Sequence, residues 1–239
     1  MIIPVSVKNQ SIDSSGITSD YKAAISEYVW NGFEANATKV SIEYTHNEAF
    51  GVKELIIKDN GEGINYNELG ETFGAFLASK KNLLSLQMKS KANKGKGRFS
   101  FIAFSNNAEW HTVYKDNDVY KEYDIAMSSD KKEVIDCSEP QLSEQNATGT
   151  EVRFFNINTL TVENMSFEVI ESALLKDFAW FLYLYKNKDA EIIVNGEKID
   201  YKKYINTDLS EKVMVTIDGY RFETVSYTHL RAHETRSNL

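Results

Sequence analysis

Two carboxylates and an amide, Glu27, Asn31 and Glu34, follow one another at intervals of four and three residues. On an α-helix these intervals place side chains on one face. The oxygen of an Asn side chain suits Mg²⁺, which prefers oxygen ligands together with phosphate oxygens. A Glu one turn earlier can hold a water aimed at a phosphate, in a general-base or water-orienting role. The trio by itself could equally be a charged, solvent-exposed helix face.

A third carboxylate, Asp59, closes a short apolar strand and precedes the glycine pair Gly61 and Gly63. A carboxylate there can accept a hydrogen bond from an exocyclic amine, which would select adenine. Glycines let the backbone approach a flat ring closely. The pattern Asp-x-Gly-x-Gly is weak on its own, because Asp-Asn-Gly is also a common turn.

A glycine-rich basic segment, Lys94-Gly95-Lys96-Gly97-Arg98-Phe99-Ser100, precedes the next helical pattern. Backbone N–H groups at a helix start bind phosphate, and glycines give access to them. The P-loop pattern is absent. From Lys80 to Arg98 there are seven basic residues and no acidic ones. In an acidic chain this favours a polyphosphate ligand, the alternative being a solvated basic loop.

Composition limits the class of protein. The chain has 239 residues, is 42% apolar and carries a formal net charge of -8. This charge argues against bulk electrostatic binding to DNA or to anionic membranes, so nucleic acid is not indicated as a partner. The single cysteine, Cys137, allows neither an internal disulfide nor a Cys-rich metal site, and suggests a reducing, cytoplasmic setting. The most apolar helical stretch, Phe178–Tyr185, is too short to span a bilayer.

Hydrophobic periodicity predicts the elements that would position these residues. A helix capped by Ser19 or Asp20 carries the first trio, and a long polar connection, Lys80–Lys96, is typical of a lid or binding loop. The order of elements predicts an α+β sandwich with helices on one face of a mainly antiparallel sheet. Helices are expected at 67–78, from 98 and at 166–185; strands are expected at 39–44, 54–58, 109–114, 119–126, 133–137 and 150–156.

The C-terminal part predicts a second unit and an unusual tail. Hairpin signals at Asn195-Gly196 and Asp218-Gly219 suggest the start of another α/β domain. Residues 226–235 resemble a translated sequencing-library adapter, so we expect the natural protein to continue beyond Val225. An ordinary amphipathic tail is the alternative. The expected division is 1–156 for the first domain, 157–225 for a partial transducer-like region and 226–239 for a non-native tail.

Taken in order, the motifs resemble those of the GHKL ATPases, which include gyrase-type topoisomerases, Hsp90 chaperones, histidine kinases and MutL repair proteins. The family pattern Glu-x-x-x-Asn-x-x-Asp-Ala is similar to residues 27–35, and Asp-x-Gly-x-Gly to residues 59–63. A Gly-x-Gly loop before a helix corresponds to Gly95 and Gly97. Gly-Thr before a strand corresponds to Gly149 and Thr150. The resemblance covers about residues 15–156.

The resemblance implies a Bergerat-type two-layer α/β sandwich with a mixed sheet, and a role for each motif residue. Glu27 would position or activate the hydrolytic water, and Asn31 would ligate Mg²⁺. Asp59 would hold the adenine amine, with Thr150 assisting through a water. The remaining nucleotide contacts implied are Gly61, Gly63 and Ile64 at the base and Gly95, Lys96, Gly97, Arg98 and Phe99 at the phosphates.

The implied activity is Mg²⁺-dependent ATP hydrolysis that drives a conformational switch, with ATP or ADP as ligand and a possible ATP-dependent homodimer. Two alternatives stay open: a nucleotide-gated module that does not hydrolyse ATP, and a histidine-kinase-type phosphotransferase. The kinase is disfavoured because no histidine precedes Glu27. Glu34 stands where the family usually has Asp. No residue can be assigned as the lysine or arginine that many members supply from the next domain.

Overall fold

The computed structural model describes residues 17–72, 97–217 and 220–229. The predicted loop Lys80–Lys96, with Gly95 and Lys96, lies outside the described residues, as does the second half of the helix predicted over 67–78. Within these ranges there are three α-helices, α1 (Tyr21–Glu34), α2 (Leu69–Thr72) and α3 (Phe167–Leu184). Short 3₁₀ helices cover Tyr66–Glu68, Gly97–Ala103, Lys186–Lys188 and Tyr201–Lys203.

Eleven strands form within the described residues. They are β1 (Lys39–His46), β2 (Val52–Asp59), β3 (Ser105–Asp116), β4 (Val119–Ser128), β5 (Asp136–Cys137), β6 (Gln141–Leu142), β7 (Gly149–Ile157), β8 (Glu191–Val194), β9 (Glu197–Lys198), β10 (Ile205–Ile217) and β11 (Tyr220–His229).

Nine of these strands form one sheet in the order β5-β4-β3-β7-β2-β1-β8-β9, with β6 also paired to β4. Every pairing is antiparallel except that of β1 with β8, which is parallel. Alternate residues of β1 and β2 are buried, including Val40, Ile42, Leu55 and Ile57, so one face of the sheet meets the helices. The predicted α+β fold with a mixed, mainly antiparallel sheet is confirmed.

Helix α1 begins and ends at residues suited to those positions. Asp20 accepts a hydrogen bond from the Lys22 N–H at 2.9 Å and so caps the first turn. At the other end Asn36 adopts a left-handed conformation, with φ of 61°. The Ala37 N–H then bonds the Gly32 carbonyl at 3.0 Å, which closes the helix with a Schellman motif. This closure points the end of α1 at the sheet.

Residues on both sides of the predicted boundary at 156 and 157 share one core. The Trp30 ring of α1 lies 4.3 Å from Phe178 of α3, and Phe33 lies 4.5 Å from Phe181, both measured between ring centroids. Strand β8 joins the edge of the same sheet next to β1. By contrast, β10 and β11 form a separate two-stranded sheet. A distinct second domain therefore stays a prediction, and α3 and β8 pack as part of the first unit.

Three local expectations differ from the structure. The helix predicted from Arg98 is a 3₁₀ helix, whose three-residue turn aligns the buried Phe101 and Phe104. The strand predicted over 133–137 is reduced to two residues because Val134 closes a turn by bonding the Lys131 carbonyl. Strand β11 continues to His229, so it includes four residues of the predicted non-native tail, three of which pair with β10. The origin of that tail stays a prediction.

Candidate functional site

The 3₁₀ helix Gly97–Ala103 begins beside the polar face of α1. A Cβ atom added to Gly97 would lie 3.1 Å from Glu27 Oε2 and 3.8 Å from Asn31 Nδ2. The backbone at Gly97 therefore lies directly beside the two side chains predicted for water activation and Mg²⁺ binding. Gly97, which is distant in sequence, thus meets two side chains on one face of α1. Glu34, one turn further along α1, is exposed.

Tyr28 fixes this contact. Its hydroxyl donates a hydrogen bond to the Arg98 carbonyl at 3.0 Å and accepts one from the Phe101 N–H at 3.2 Å. Burial strongly raises the pKa of the Tyr28 phenol, so it stays neutral and keeps the proton it donates. Sequence reasoning missed this residue, since nothing local distinguishes a tyrosine beside Glu27 from an ordinary core aromatic.

Arg98 and Phe99, both predicted to contact phosphate, are buried side chains. The Arg98 guanidinium carbon lies 4.6 Å from the centroid of the Phe99 ring, within the range of a cation–π contact. Burial lowers the pKa of Arg98 to about 10, which leaves it charged at neutral pH. The Arg98 side chain thus belongs to the packed interior and is not a freely exposed basic group.

Asp59 lies at the end of β2, opposite Thr150 of β7. Its Oδ1 accepts a hydrogen bond from the Gly61 N–H at 2.8 Å, and its carboxylate also accepts one from the Thr150 N–H. Burial raises the pKa of Asp59, and these two bonds oppose that rise. A carboxylate has about four acceptor positions, so Asp59 keeps capacity for a further donor.

Glycines let the chain close tightly around Asp59. A Cβ on Gly32 would lie 2.9 Å from the Asp59 Cβ, and one on Gly149 would lie 2.4 Å from the Asp59 carbonyl oxygen. A Cβ on Gly61 would lie 2.6 Å from the Ala35 carbonyl oxygen at the end of α1. Since Gly32 follows Asn31, the same helix end that carries the predicted Mg²⁺ ligand abuts Asp59.

Gly63 has the most restricted place in the loop. Its φ is +75°, a left-handed conformation that favours glycine, and an added Cβ would lie 2.1 Å from the Val113 carbonyl oxygen. The next residue, Ile64, donates its N–H to Thr112 Oγ1 at 2.9 Å. The Gly-x-Gly loop is therefore pressed against β3.

Thr112 connects the loop to Thr150. The two hydroxyl oxygens lie 3.1 Å apart, and both residues are buried. Sequence reasoning identified Ile64 and Thr150 but missed Thr112. The available signal was alternation along β3, which places Ala108, Trp110 and Thr112 on the core side of the sheet.

Neighbouring polar residues in this region have structural partners. The Asn60 Oδ1 accepts hydrogen bonds from the Thr38 and Lys39 N–H groups at 2.9 and 2.8 Å, which secures the turn into β1. The Glu62 N–H bonds the Ala35 carbonyl at 2.8 Å, and its side chain accepts from Asn36. Asn60 and Glu62 thereby hold the loop against the end of α1.

Two features are absent from the described part of the chain. No cluster there brings together three or more His, Cys, Asp or Glu side chains suited to a metal ion. None of the helices described is both long and apolar enough to cross a membrane.

Residues 18–159 match the sequence model of the family described as histidine kinase-, DNA gyrase B- and HSP90-like ATPases. No curated protein is significantly similar to the chain. The matched range covers more than half of the sequence and contains Glu27, Asn31, Asp59, Gly97 and Thr150. The mixed sheet with helices on one face is consistent with a Bergerat-type fold. On this match and this fold, the chain belongs to the histidine kinase-, DNA gyrase B- and HSP90-like ATPase family.

Proposed function

We propose that the chain binds ATP with Mg²⁺ and hydrolyses it between α1, the end of β2 and the 3₁₀ helix Gly97–Ala103. The observation that carries the proposal is the meeting of Glu27 and Asn31 with Gly97, where a Cβ would lie 3.1 Å from the Glu27 carboxylate. A phosphate held by the backbone near Gly97 would thus come within reach of both side chains.

At the base end, Asp59 would accept a hydrogen bond from the exocyclic amine of adenine, with Thr150 beside it. Gly61, Gly63 and Ile64 would form the adjoining wall. Support comes from the acceptor capacity that Asp59 retains after bonding the Gly61 and Thr150 N–H groups. The rigid contact of the loop with β3 keeps this wall in place before a ligand arrives.

At the phosphate end, Asn31 would offer its side-chain oxygen to Mg²⁺, and Glu27 would orient the attacking water and take its proton. When bound, Mg²⁺ would offset the charge of the phosphate oxygens. An amide oxygen and a nearby carboxylate fit this ion, whose other ligands would be phosphate oxygens and waters. Backbone groups of Gly97, Arg98 and Phe99 would hold the phosphates, joined by Gly95 and Lys96 from outside the described residues.

We extend the proposal to a nucleotide-driven switch that homodimerises with ATP in the cytoplasm. The family resemblance supports the switch and the dimer, and the single cysteine is in keeping with a reducing compartment. The alternative is a nucleotide-gated binding module without turnover. The presence of Glu27 favours hydrolysis, because binding alone does not need a residue that activates water.

The test measures ATP affinity and phosphate release for the wild type, Glu27→Ala and Asp59→Asn, with Glu34→Ala as a control on the same helix. We expect Glu27→Ala to bind ATP with nearly wild-type affinity and to lose turnover by about 10²–10⁴-fold. Asp59→Asn should weaken ATP binding at least about tenfold. Unchanged affinity in Asp59→Asn would reject the site, and ATP binding without phosphate release by the wild type would favour the non-hydrolysing module.

A further inference from the structure

The hydroxyl of Thr112 has three polar neighbours in the interior of the domain. The Ile64 nitrogen lies 2.9 Å from Thr112 Oγ1, the Thr150 hydroxyl oxygen 3.1 Å and the Gly149 carbonyl oxygen 3.4 Å. Thr112 has no exposed surface, so no bulk water competes for these contacts. How protons are shared among the four groups is therefore set by the protein.

Counting the hydrogen-bond donors and acceptors shows which group donates each proton. A threonine hydroxyl has one proton and two acceptor lone pairs. The Ile64 amide can only donate, and the Gly149 carbonyl can only accept. All three contacts are satisfied when Thr112 donates to Gly149 and accepts from both Ile64 and Thr150. If Thr112 donated to Thr150 instead, its contact with the part-buried Gly149 carbonyl would have no proton.

This arrangement of protons sets what the Thr150 hydroxyl can offer a ligand. Its only hydroxyl proton points at Thr112, so its oxygen offers lone pairs to its other side. Its backbone lies directly opposite Asp59 in the pairing of β2 with β7, and its N–H faces the Asp59 carboxylate, which makes Thr150 and Asp59 direct neighbours. Two acceptors side by side fit an amino group with two protons. A bridging water that donates to both would likewise offer the ligand a lone pair.

We infer that Thr112 is a positioning residue for base selectivity: it orients the Thr150 hydroxyl so that Thr150 and Asp59 together favour a nucleobase with an exocyclic amino group over one with a keto oxygen. The inference rests on the proposed function, since it presumes that the base lies beside Asp59. Thr112 itself does not touch the ligand.

The experiment compares the affinities of the full chain for ATP and for inosine triphosphate, which has a keto oxygen in place of the amino group. Calorimetric titration is done on the wild type, Thr112→Val and Thr112→Ser. Valine keeps the shape but removes the hydroxyl, which frees the Thr150 proton to face either ligand. We expect the preference for ATP to fall about tenfold in Thr112→Val and to be retained in Thr112→Ser.

A purely structural role for Thr112 would weaken both nucleotides by the same factor, and that result would overturn the inference. Retention of the full ATP preference by Thr112→Val would also overturn it. If thermal melting shows that Thr112→Val does not fold, Thr112→Cys serves instead, since its weakly hydrogen-bonding thiol should also lower the preference. Failure of the wild type to bind ATP would refute the proposed function. If the wild type prefers ATP and the variants keep the same ratio of ATP affinity to inosine triphosphate affinity, only the role of Thr112 is refuted.

Discussion

The two ends of the candidate site are built differently. At the base corner, formed by Asp59, Gly61, Gly63, Thr112 and Thr150, a Cβ on either glycine would run into a backbone carbonyl oxygen. At the phosphate end, formed by Glu27, Asn31 and Gly97, the nearest atom to an added Cβ is a side-chain carboxylate oxygen. Backbone held in a strand or at a helix end cannot easily move aside, whereas a Glu side chain can rotate. The base corner should therefore tolerate almost no change, and the phosphate end should tolerate small adjustments.

The largest effect is expected for Gly63→Ala. The left-handed φ of +75° and the carbonyl oxygen 2.1 Å from the new Cβ should together lower the free energy of unfolding by about 2–6 kcal/mol. Chemical denaturation measures this, with Gly70→Ala as the matched control because no atom of the described residues lies within 4 Å of its Cβ position. Equal stability of the two variants would show that the base corner is not rigid.

Next in size is Tyr28→Phe, which tests the link between α1 and the 3₁₀ helix. Loss of the hydroxyl leaves the Arg98 carbonyl and the Phe101 N–H without their buried partner, at a cost of about 1–3 kcal/mol in unfolding free energy. Turnover should fall more than ATP affinity. Tyr21→Phe removes a half-buried hydroxyl bonded to the Asn164 carbonyl and should cost less. An unchanged melting temperature and an unchanged turnover in Tyr28→Phe would show that the Tyr28 hydroxyl does not hold α1 against the 3₁₀ helix.

Asp59→Asn should separate stability from binding. Burial raises the pKa of Asp59 in the folded protein above the ordinary value of 3.8, so folding favours the protonated form. As pH rises through the interval between the unfolded and folded pKa values, the wild type loses stability, while Asn has no charge to bury. The melting temperature of Asp59→Asn relative to wild type should therefore increase as the pH is raised above the ordinary value of 3.8. A difference in melting temperature between the two proteins that does not change with pH would contradict the raised pKa of Asp59.

The smallest effect on stability is expected for Gly97→Ala. Its Cβ would lie 3.1 Å from Glu27 Oε2, a contact that rotation of the Glu side chain can relieve, so the cost should stay below about 1 kcal/mol. Because the displaced carboxylate is the proposed base, turnover should fall several-fold while ATP affinity changes little. Destabilisation as large as in Gly63→Ala would remove the contrast between the two ends.

The fold was largely predictable because its main signals are local. Alternation predicts a strand from Lys39, and β1 forms at Lys39–His46. A capping Asp and helical spacing predict α1, which begins one residue after Asp20. The parallel pairing of β1 with β8 was not predicted, since about 150 residues separate the strands and no local pattern records their contact. The 3₁₀ geometry at Gly97 was missed because the packing of Phe101 and Phe104 selects it.

The amino-acid sequence alone specifies which chemical groups are available: a Glu and an Asn on one helix face, a strand-terminal Asp, and glycines where the backbone must come close. Three links depend instead on how distant segments pack: Gly97 with Glu27, Tyr28 with the segment beyond Gly97, and Ile64 through Thr112 with Thr150. Residue type and spacing fix local conformation, whereas hydrogen bonds between distant segments arise when burial forces each polar group to find a partner.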